Sequence, residues 1–405
     1  MPESDNYLVG LDIGTTKICC VVAHMEEDYS IDIRGIGYAQ ANGMVNGRVI
    51  NIDKTVAAIK TAVREAEGMS GAHIEAAYVG IAGDHIKSIN SDGVVSPKDK
   101  SITQLDVDRA MKTATSIFIP ADCEILHTIP QEFRVDGQAG IQNPINLSGY
   151  RLEVDVHIVT AAVTAVKDVV NCVLRAGVDV NNTILESIAS SEAVLTPEEK
   201  EMGVVLLDIG GGTTDGAVFV RESVRHTFEI PTGGVALSHD LAMGMNLSFE
   251  TADILKIEHG CCLSRVLGEE VLIEVPTVSG LEIQTVRNET VCQILEERVN
   301  EILSAAERLL IQSGYSEQIG SVVITGGTSL LRGLPELAVE IFNRPVRIGI
   351  PNYYGGLANI VNNPKFSTAI GLVLYGGRND GLPSGDGGSA GLGFFGRLLS
   401  RLKKK

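Results

Sequence analysis

The chain has 405 residues, 44% of them hydrophobic, which is enough for two domains with substantial cores. Its formal net charge of −18 argues against general affinity for nucleic acid, because negative charge repels the phosphate backbone. Its seven cysteines lack a C-x-x-C pair or zinc-ligand spacing, which indicates buried free thiols in a reducing cytosol. No run approaches the roughly 20 apolar residues of a spanning helix, and the N-terminus lacks a signal-peptide pattern.

The first predicted element is a β-hairpin over Tyr7–Ala23, whose turn carries the motif D-I-G-T-T-K. A glycine turn after an apolar strand can point successive backbone N–H groups at a phosphate, although a plain hairpin turn is the alternative. Lys17 adds a compact positive charge of the kind that phosphate sites use. The predicted phosphate-binding residues of this turn are Asp12, Gly14, Thr15, Thr16 and Lys17.

The elements after this hairpin predict one half of a duplicated α/β protein. A strand over Ile31–Ala39 is followed by a helix over Thr55–Ala66 and a strand over Glu75–Ala82. The helix is indicated by apolar residues at helical spacing, and the strands by short apolar runs. The resulting order is three strands, one helix and one strand.

Residues 84–163 have a different pattern, which predicts an inserted subdomain. We expect a strand pair around Ile86–Val95, a helix over Asp106–Ser116 and turn-rich strands from 124 to 159. A helix over Ala165–Ala176 then ends before Gly177, a candidate C-cap. Thr183–Leu195 is predicted to be a strand that runs into a helix.

The second half begins at Gly203 and repeats the glycine motif as D-I-G-G-G-T-T-D at 208–215. Two copies of one hairpin in the two halves of a chain indicate internal duplication. If the two turns face each other, they enclose a phosphate group from both sides. Asp12 and Asp208 are then placed to hold a hydrated Mg²⁺. The residues of the second turn are Asp208, Gly210, Gly211, Gly212, Thr213 and Thr214.

A third strand with a glycine turn follows in the second half, S-V-V-I-T-G-G-T at 321–328. Its backbone is predicted to pass close to a base or a ribose. Helices and strands surround it, followed by a last strand–helix pair up to Tyr375. The predicted elements are helices over Thr251–Glu258, Thr290–Gln312 and Leu334–Phe342, and strands within Val271–Val286.

The end of the chain consists of a glycine- and serine-rich segment and a basic segment. Residues 377–392 predict a flexible linker. In residues 393–405, apolar side chains fall on one face of a helix and basic ones on the other, which indicates a membrane-surface anchor. Without its five basic charges the rest of the chain carries −23; a disordered tail is the alternative. The membrane-binding residues are Phe394, Phe395, Arg397, Leu398, Leu399, Arg401, Leu402, Lys403, Lys404 and Lys405.

These motifs together resemble the FtsA family of bacterial cell-division proteins, within the actin–Hsp70–sugar-kinase superfamily. The glycine motifs at 12–17 and 208–215 are typical of the superfamily. The segments Y-V-G-I-A-G-D-H-I-K at 78–87 and H-T-I-P-Q-E-F-R-V-D-G at 127–137 are similar to the subdomain that is inserted in this family. The terminal amphipathic segment is a third, independent mark.

The resemblance implies a duplicated actin-like (ribonuclease-H-like) two-lobed α/β ATPase fold with an inserted α+β subdomain at 84–163. The first core lobe would comprise residues 1–83, 164–202 and 350–376. The second would comprise residues 203–232 and 304–349, with a smaller subdomain at 233–303.

The resemblance also implies ATP and Mg²⁺ as ligands, weak ATP hydrolysis at most, and assembly into actin-like protofilaments. The implied partners are the C-terminal tail of FtsZ, anionic membrane lipid and other division proteins that bind the inserted subdomain. The implied location is the cytoplasmic face of the inner membrane at the division site.

Further site residues follow from the same resemblance. Glu186 occupies the position of a water-positioning residue, although it is also an ordinary acidic residue at a helix start. Arg298 and Glu301 match the docking region for the FtsZ tail, or form a surface pair at (i, i+3). The remaining nucleotide-lining residues are Gly234, Asp253 (in place of the usual Glu), Lys256, Gly326, Gly327 and Thr328.

Three other functions use a related ATPase body. A small-molecule kinase needs an aspartate base at the cleft, and the sequence offers no convincing candidate. An Hsp70-like chaperone needs a peptide-binding domain after the ATPase body. A pilus-assembly relative shares the body, but the terminal amphipathic segment and the P-Q-E-F subdomain argue against it.

Overall fold

The structure is a computed structural model that describes residues 7–26, 31–278, 280, 282–351 and 355–380. The predicted anchor at 393–405 and most of the predicted linker lie outside these residues. None of the described helices is both long enough and apolar enough to cross a bilayer.

The first half of the chain begins with a meander of three strands, followed by a long helix. Asn51 caps this helix by accepting a hydrogen bond from the Lys54 N–H, and Gly71 ends it in the left-handed conformation. The elements are β1 (Tyr7–Ile13), β2 (Lys17–Met25), β3 (Ile31–Gln40), β4 (Met44–Val45), β5 (Arg48–Val49), α1 (Ile52–Ser70) and β6 (Ala76–Ile81).

The inserted segment forms its own antiparallel sheet, and the chain then returns to the first lobe. Gly177 ends the first returning helix with φ of +96°, which confirms the predicted C-cap. The elements are β7 (Lys87–Val95), α2 (Gln104–Ala114), β8 (Cys123–Val135), β9 (Gln138–Ile141), β10 (Leu152–Ala162), α3 (Val163–Ala176), β11 (Asp179–Leu185), α4 (Glu186–Val194) and α5 (Pro197–Met202).

The second half repeats the three-strand meander and adds a helical subdomain before the chain crosses back to the first lobe. The elements are β12 (Val204–Ile209), β13 (Thr214–Val220), β14 (Ser223–Ile230), α6 (Gly234–Met245), α7 (Phe249–His259), β15 (Leu272–Pro276), β16 (Ile283–Arg287), α8 (Asn288–Gln312), β17 (Ser321–Thr325), α9 (Leu334–Phe342), β18 (Val346–Ile348), β19 (Gly355–Gly356), α10 (Ala358–Val361) and α11 (Ser367–Asp380).

The two main sheets have the same topology, which confirms the predicted duplication. The first has the order β11-β6-β1-β2-β3-β19, and the second has the order β14-β13-β12-β17-β18. In each, the first strand pairs antiparallel with the second and parallel with a strand that follows a helical crossover. The first sheet lies within one hydrophobic core. The second sheet turns one face to a second core, while alternate residues such as Leu206, Phe219 and Val323 on its other face join the first core, so the chain is an α/β protein whose two lobes pack against each other.

The inserted sheet, with the order β7-β10-β8-β9, lies against β14 of the second lobe. The contact is polar, because side chains of the inserted sheet bind the backbone of β14. Ser88 donates to the Thr227 carbonyl (2.8 Å), Asn90 to the Arg225 carbonyl (3.1 Å), and Gln131 to the Val224 carbonyl (2.8 Å). The insertion is therefore covalently part of the first lobe and hydrogen-bonded to the second.

Several sequence predictions are wrong in detail. The predicted strand pair around Ile86–Val95 is the single strand β7, because its whole length pairs with β10. Gly93 in this strand allows α2 to pack closely, because a Cβ at Gly93 would lie 2.1 Å from the Ala110 carbonyl of α2. Cys123 is partly exposed, whereas the other six cysteines are buried; all seven are free.

The predicted linker begins too early, because α11 extends through residues 377–380 to Asp380. The two glycines that suggested a break lie within this helix and allow close packing. A Cβ at Gly376 would lie 2.4 Å from the Tyr78 ring, and one at Gly377 would lie 3.1 Å from the Leu8 side chain. The helices α5 and α6 were not predicted.

Candidate functional site

The two glycine motifs form equivalent turns at the ends of equivalent strands. The Gly14 N–H donates to the Lys17 carbonyl, and the Gly210 N–H donates to the Thr213 carbonyl, both at 2.9 Å. Each turn therefore has two residues at its tip, Thr15–Thr16 and Gly211–Gly212. Within the described part of the chain, the four tip N–H groups donate to no other group and remain available to a ligand.

The two turns face each other in direct contact. A Cβ at Gly211 would lie 2.5 Å from the Thr16 side chain, and a Cβ at Gly212 would lie 2.3 Å from the Thr15 hydroxyl. Only glycine fits at either position without displacing a threonine side chain of the first turn. The sequence prediction that the turns oppose each other is thus confirmed by geometry.

A cleft with about 440 Å³ of empty space, part of it open to solvent, lies between the turns. It is lined by thirteen of the predicted site residues and by four that the sequence did not identify as site residues. The former are Asp12, Gly14, Thr15, Thr16, Lys17, Glu186, Asp208, Gly210–Thr213, Gly326 and Gly327, and the latter are Asp215, Pro364, Lys365 and Thr368.

Lys17 and Asp12 form an ion pair inside the cleft, and the Asp12 side chain is almost fully buried. Burial alone would lower the pKa of Lys17, but the Asp12 carboxylate outweighs it and raises the pKa above its ordinary value. Lys17 is therefore a permanent cation whose charge Asp12 largely offsets.

Asp208 is buried on the floor of the cleft and receives hydrogen bonds from the first lobe. The hydroxyls of Ser190 in α4 and Thr368 in α11 donate to its Oδ2 at 2.5 and 3.1 Å. Burial raises the pKa of Asp208, and the hydroxyl of Ser190 partly opposes this shift. These bonds join the two lobes at the base of the cleft.

Glu186 and Asp215 add two more buried carboxyl groups. Burial raises the pKa of Glu186 well above its usual value, and the neighbouring Asp12 raises it further. Burial also raises the pKa of Asp215, and Asp208 adds to the effect. Thr213 donates to Asp215 Oδ2 (3.0 Å), but Oδ1 has no partner among the described residues. The cleft thus concentrates buried carboxyl groups, whose ionised forms a bound cation would stabilise.

These carboxyl groups fit a magnesium ion that arrives with a phosphate. No group of three or more His, Cys, Asp or Glu in the described ranges is arranged to hold a metal directly. Mg²⁺ normally keeps several waters and takes one or two carboxylates plus phosphate oxygens. Asp12 and Asp208 would hold it through water, and the unpartnered oxygen of Asp215 could accept from such a water.

Five of the predicted nucleotide-binding residues lie outside the cleft lining, and four of them support the second turn from behind. The Gly234 N–H and the Thr328 hydroxyl both donate to the Gly210 carbonyl, at 2.9 and 2.8 Å. Lys256 donates to the Gly234 carbonyl (3.0 Å) and to Asp253 (2.6 Å). Asp253, which has a shorter side chain than the usual Glu, is thus held by Lys256. These four residues position the turn.

The other predicted residues are also away from the cleft. The Thr214 hydroxyl is buried and donates to the Thr232 carbonyl (2.8 Å). Arg298 donates to Glu301 (2.6 Å), as expected for an (i, i+3) pair, and also to Asp240 of α6 at 2.6 and 3.0 Å. The predicted membrane-binding residues, Phe394 to Lys405, lie outside the described residues.

The duplicated sheets and opposed glycine turns define an actin-like ATPase fold with an inserted subdomain. Residues 205–371 match the family model of cell division protein FtsA, and residues 83–160 match the SHS2 domain inserted in FtsA. The chain is 41% identical to cell division protein FtsA of Neisseria meningitidis over 410 residues, which covers 100% of this chain and 99% of the relative. It is 40% identical to FtsA of Pseudomonas aeruginosa over 391 residues, with 96% and 94% covered. The chain belongs to the FtsA family of cell division proteins.

Solved structures agree with this fold. The chain is similar to a chain of the PilM–PilN type IV pilus biogenesis complex, with a TM-score of 0.68, 16% identity, and 91% and 98% of the two chains covered. It is also similar to MreB5 of Spiroplasma citri bound to ADP, with a TM-score of 0.53, 15% identity, and 92% and 97% covered. At these identities the likeness shows the fold alone.

Proposed function

We propose that this FtsA-family chain binds Mg·ATP in the cleft between its lobes. The observation that carries the proposal is the pair of equivalent turns, whose tips line one cleft from both lobes and whose four tip N–H groups donate to no other described group. A polyphosphate supplies the acceptors that these donors lack. A magnesium ion bound to it would offset the buried carboxyl groups of Glu186, Asp208 and Asp215.

We further propose that Glu186 positions water for slow ATP hydrolysis. It is the first residue of α4 and lines the cleft beside Asp12. Glu186→Gln keeps the shape of the side chain but replaces one oxygen, which can accept a hydrogen bond from the water, with an NH2 group that only donates, so hydrolysis should fall by at least about tenfold. Phosphate release by the full chain measures the rate, and calorimetry should show little change in Mg·ATP affinity.

Glu198→Gln is the control, because Glu198 is exposed on α5. An unchanged rate in Glu186→Gln would reject this role and leave the binding proposal intact.

The third part of the proposal is self-assembly and membrane attachment through residues 393–405. Partial burial of the apolar face and about 1 kcal/mol for each basic residue near anionic lipid favour binding. Folding of the helix opposes both, so a single copy should bind weakly. Several linked copies would bind far more tightly through effective concentration. We therefore propose that ATP-dependent assembly drives attachment to the cytoplasmic face of the inner membrane.

Vesicle co-sedimentation tests this coupling. The full chain should pellet with anionic vesicles more strongly when Mg·ATP is present, because assembly multiplies the anchors. A 1–392 truncation should stay in the supernatant under both conditions, since it lacks the apolar and basic residues. Equal pelleting of the truncation would reject the anchor, and an unchanged response to Mg·ATP would reject the coupling.

The fourth part is attachment of FtsZ filaments through the C-terminal tail of FtsZ, which docks at Arg298 and Glu301 on α8. Arg298 is partly exposed and Glu301 mostly exposed, although Arg298 is also held by Asp240. Arg298→Glu should weaken binding of an FtsZ tail peptide by about tenfold, as expected for one lost charged hydrogen bond. Fluorescence anisotropy measures the affinity.

Arg308→Glu is the matched control, because Arg308 is exposed on the same helix. The thermal midpoints of both variants are compared with that of the unmodified chain, because Arg298 also binds Asp240. A folded Arg298→Glu variant with unchanged affinity would reject this docking site. Binding of other division proteins to the inserted subdomain is proposed from the family resemblance.

A further inference from the structure

Lys365 lines the cleft, although it lies far along the chain from both glycine motifs. It lies in a single 3₁₀ turn, Pro364–Phe366, which begins where Asn363 accepts a hydrogen bond from the Lys365 N–H (3.1 Å). Phe366 is buried in the first core, and the next residue but one, Thr368, donates to Asp208. The chain on both sides of Lys365 is therefore held in place.

No described carboxylate forms an ion pair with the ammonium group of Lys365. No ion pair to Lys365 occurs among the residues that the structure describes, whereas the other lysine of the cleft, Lys17, is paired with Asp12. The Lys365 ammonium lies 4.9 Å from the centre of the Phe366 ring and 5.9 Å from that of Tyr38. These aromatic contacts hold a partly buried cation at the cleft without neutralising it.

We propose that Lys365 binds the polyphosphate group of the nucleotide as a second cation of the cleft. The inference rests on the proposed function, since it needs a nucleotide between the turns. Lys17 has its charge offset by Asp12, so an anion that enters the cleft meets little net positive charge from the first turn. The ammonium of Lys365, on a flexible four-carbon stem, supplies that charge.

Calorimetry with the full chain tests the inference. Lys365→Met keeps the packing against Phe366 and removes the charge, so Mg·ATP affinity should fall by about tenfold or more. Lys365→Arg should retain most of the affinity. Binding of adenosine, which has no phosphate, should be unchanged. Lys60→Met is the control, because Lys60 is exposed on α1 away from the cleft.

Unchanged Mg·ATP affinity in Lys365→Met, or an equal loss with adenosine, would overturn the inference. Failure of the unmodified chain to bind Mg·ATP would instead overturn the proposed function. If Lys365→Met does not fold, acylation of lysines in the unmodified chain tests whether Lys365 contacts the phosphates. Mg·ATP should protect Lys365 from acylation and adenosine should not; equal labelling under both conditions would overturn the inference.

Discussion

Replacement of Gly371 by alanine is expected to lower the free energy of unfolding by about 3 kcal/mol, the upper part of the usual range for overpacking. A Cβ at Gly371 would lie 1.8 Å from the Ala189 carbonyl oxygen of α4, and that neighbour is backbone, which cannot rotate away. The helix α11 is also close to β1, where a Cβ at Gly10 would lie 2.3 Å from the Ala369 carbonyl. The helix therefore has little room to move.

The same substitution should weaken Mg·ATP binding. The helix α4 carries Ser190 and α11 carries Thr368, and both hydroxyls bind Asp208 at the base of the cleft. Separation of the two helices would disturb these bonds. Urea unfolding measures the stability, and calorimetry measures the affinity.

Gly68→Ala is the matched control for Gly371→Ala. Gly68 also lies within a helix, but a Cβ there would meet nothing within 4 Å. Alanine should therefore stabilise the chain by up to about 1 kcal/mol, the difference in helix propensity. If both variants changed stability by the same amount and sign, close packing of α11 on α4 would not be the cause.

Replacement of His157 by leucine is expected to cost about 3 kcal/mol of stability. The imidazole is fully buried between the inserted sheet and the second lobe. Its Nδ1 is 2.7 Å from Asn90 Oδ1, and its Nε2 is 3.0 Å from Thr227 Oγ1. Leucine leaves both groups without this partner, at about 1–3 kcal/mol for each buried polar group.

His73→Leu is the control, because His73 is exposed and its ring has one polar contact within the described residues, with Glu67. It should change stability by less than about 0.5 kcal/mol. A loss in His157→Leu no larger than this would show that the polar contact between the insertion and the second lobe contributes little.

The contribution of His157 should also depend on pH. Burial lowers its pKa from 6.5 to about 3, and His226 and His127 act in the same direction. The unfolded chain takes up the proton near pH 6.5, so acidification favours unfolding: the stabilisation is complete above that pH and is lost as the pH falls towards 3. At pH 5 the loss is about 2 kcal/mol.

Urea unfolding at pH 7.5 and pH 5 separates this effect from other titrations. The carboxyl groups with raised pKa, Glu186, Asp208 and Asp215, act in the opposite direction, because protonation stabilises the folded chain. The unmodified chain and His157→Leu both contain these carboxyl groups, so their effect cancels in the comparison. The stability difference between the unmodified chain and His157→Leu should therefore be about 2 kcal/mol smaller at pH 5 than at pH 7.5. The same difference at both pH values would contradict the lowered pKa of His157.

The sequence by itself determined the two glycine turns, the duplication and the place of the insertion. Turns and strands depend on local properties, namely the freedom of glycine and the apolar runs before it, so both motifs could be located without coordinates. The family followed from those motifs and from the inserted segment. The linker boundary was wrong because Gly376 and Gly377 look like breaks in a helix, although they serve close packing.

Only the tertiary structure decided which polar side chains from outside the glycine motifs join the site. Ser190, Thr368 and Lys365 come from segments with no local sign of a site, and they converge because α4 and α11 pack on each other below the turns. It likewise placed Gly234, Thr328 and Lys256 behind the second turn. Such convergence depends on long-range packing, and the spacing of residues along one chain does not contain it.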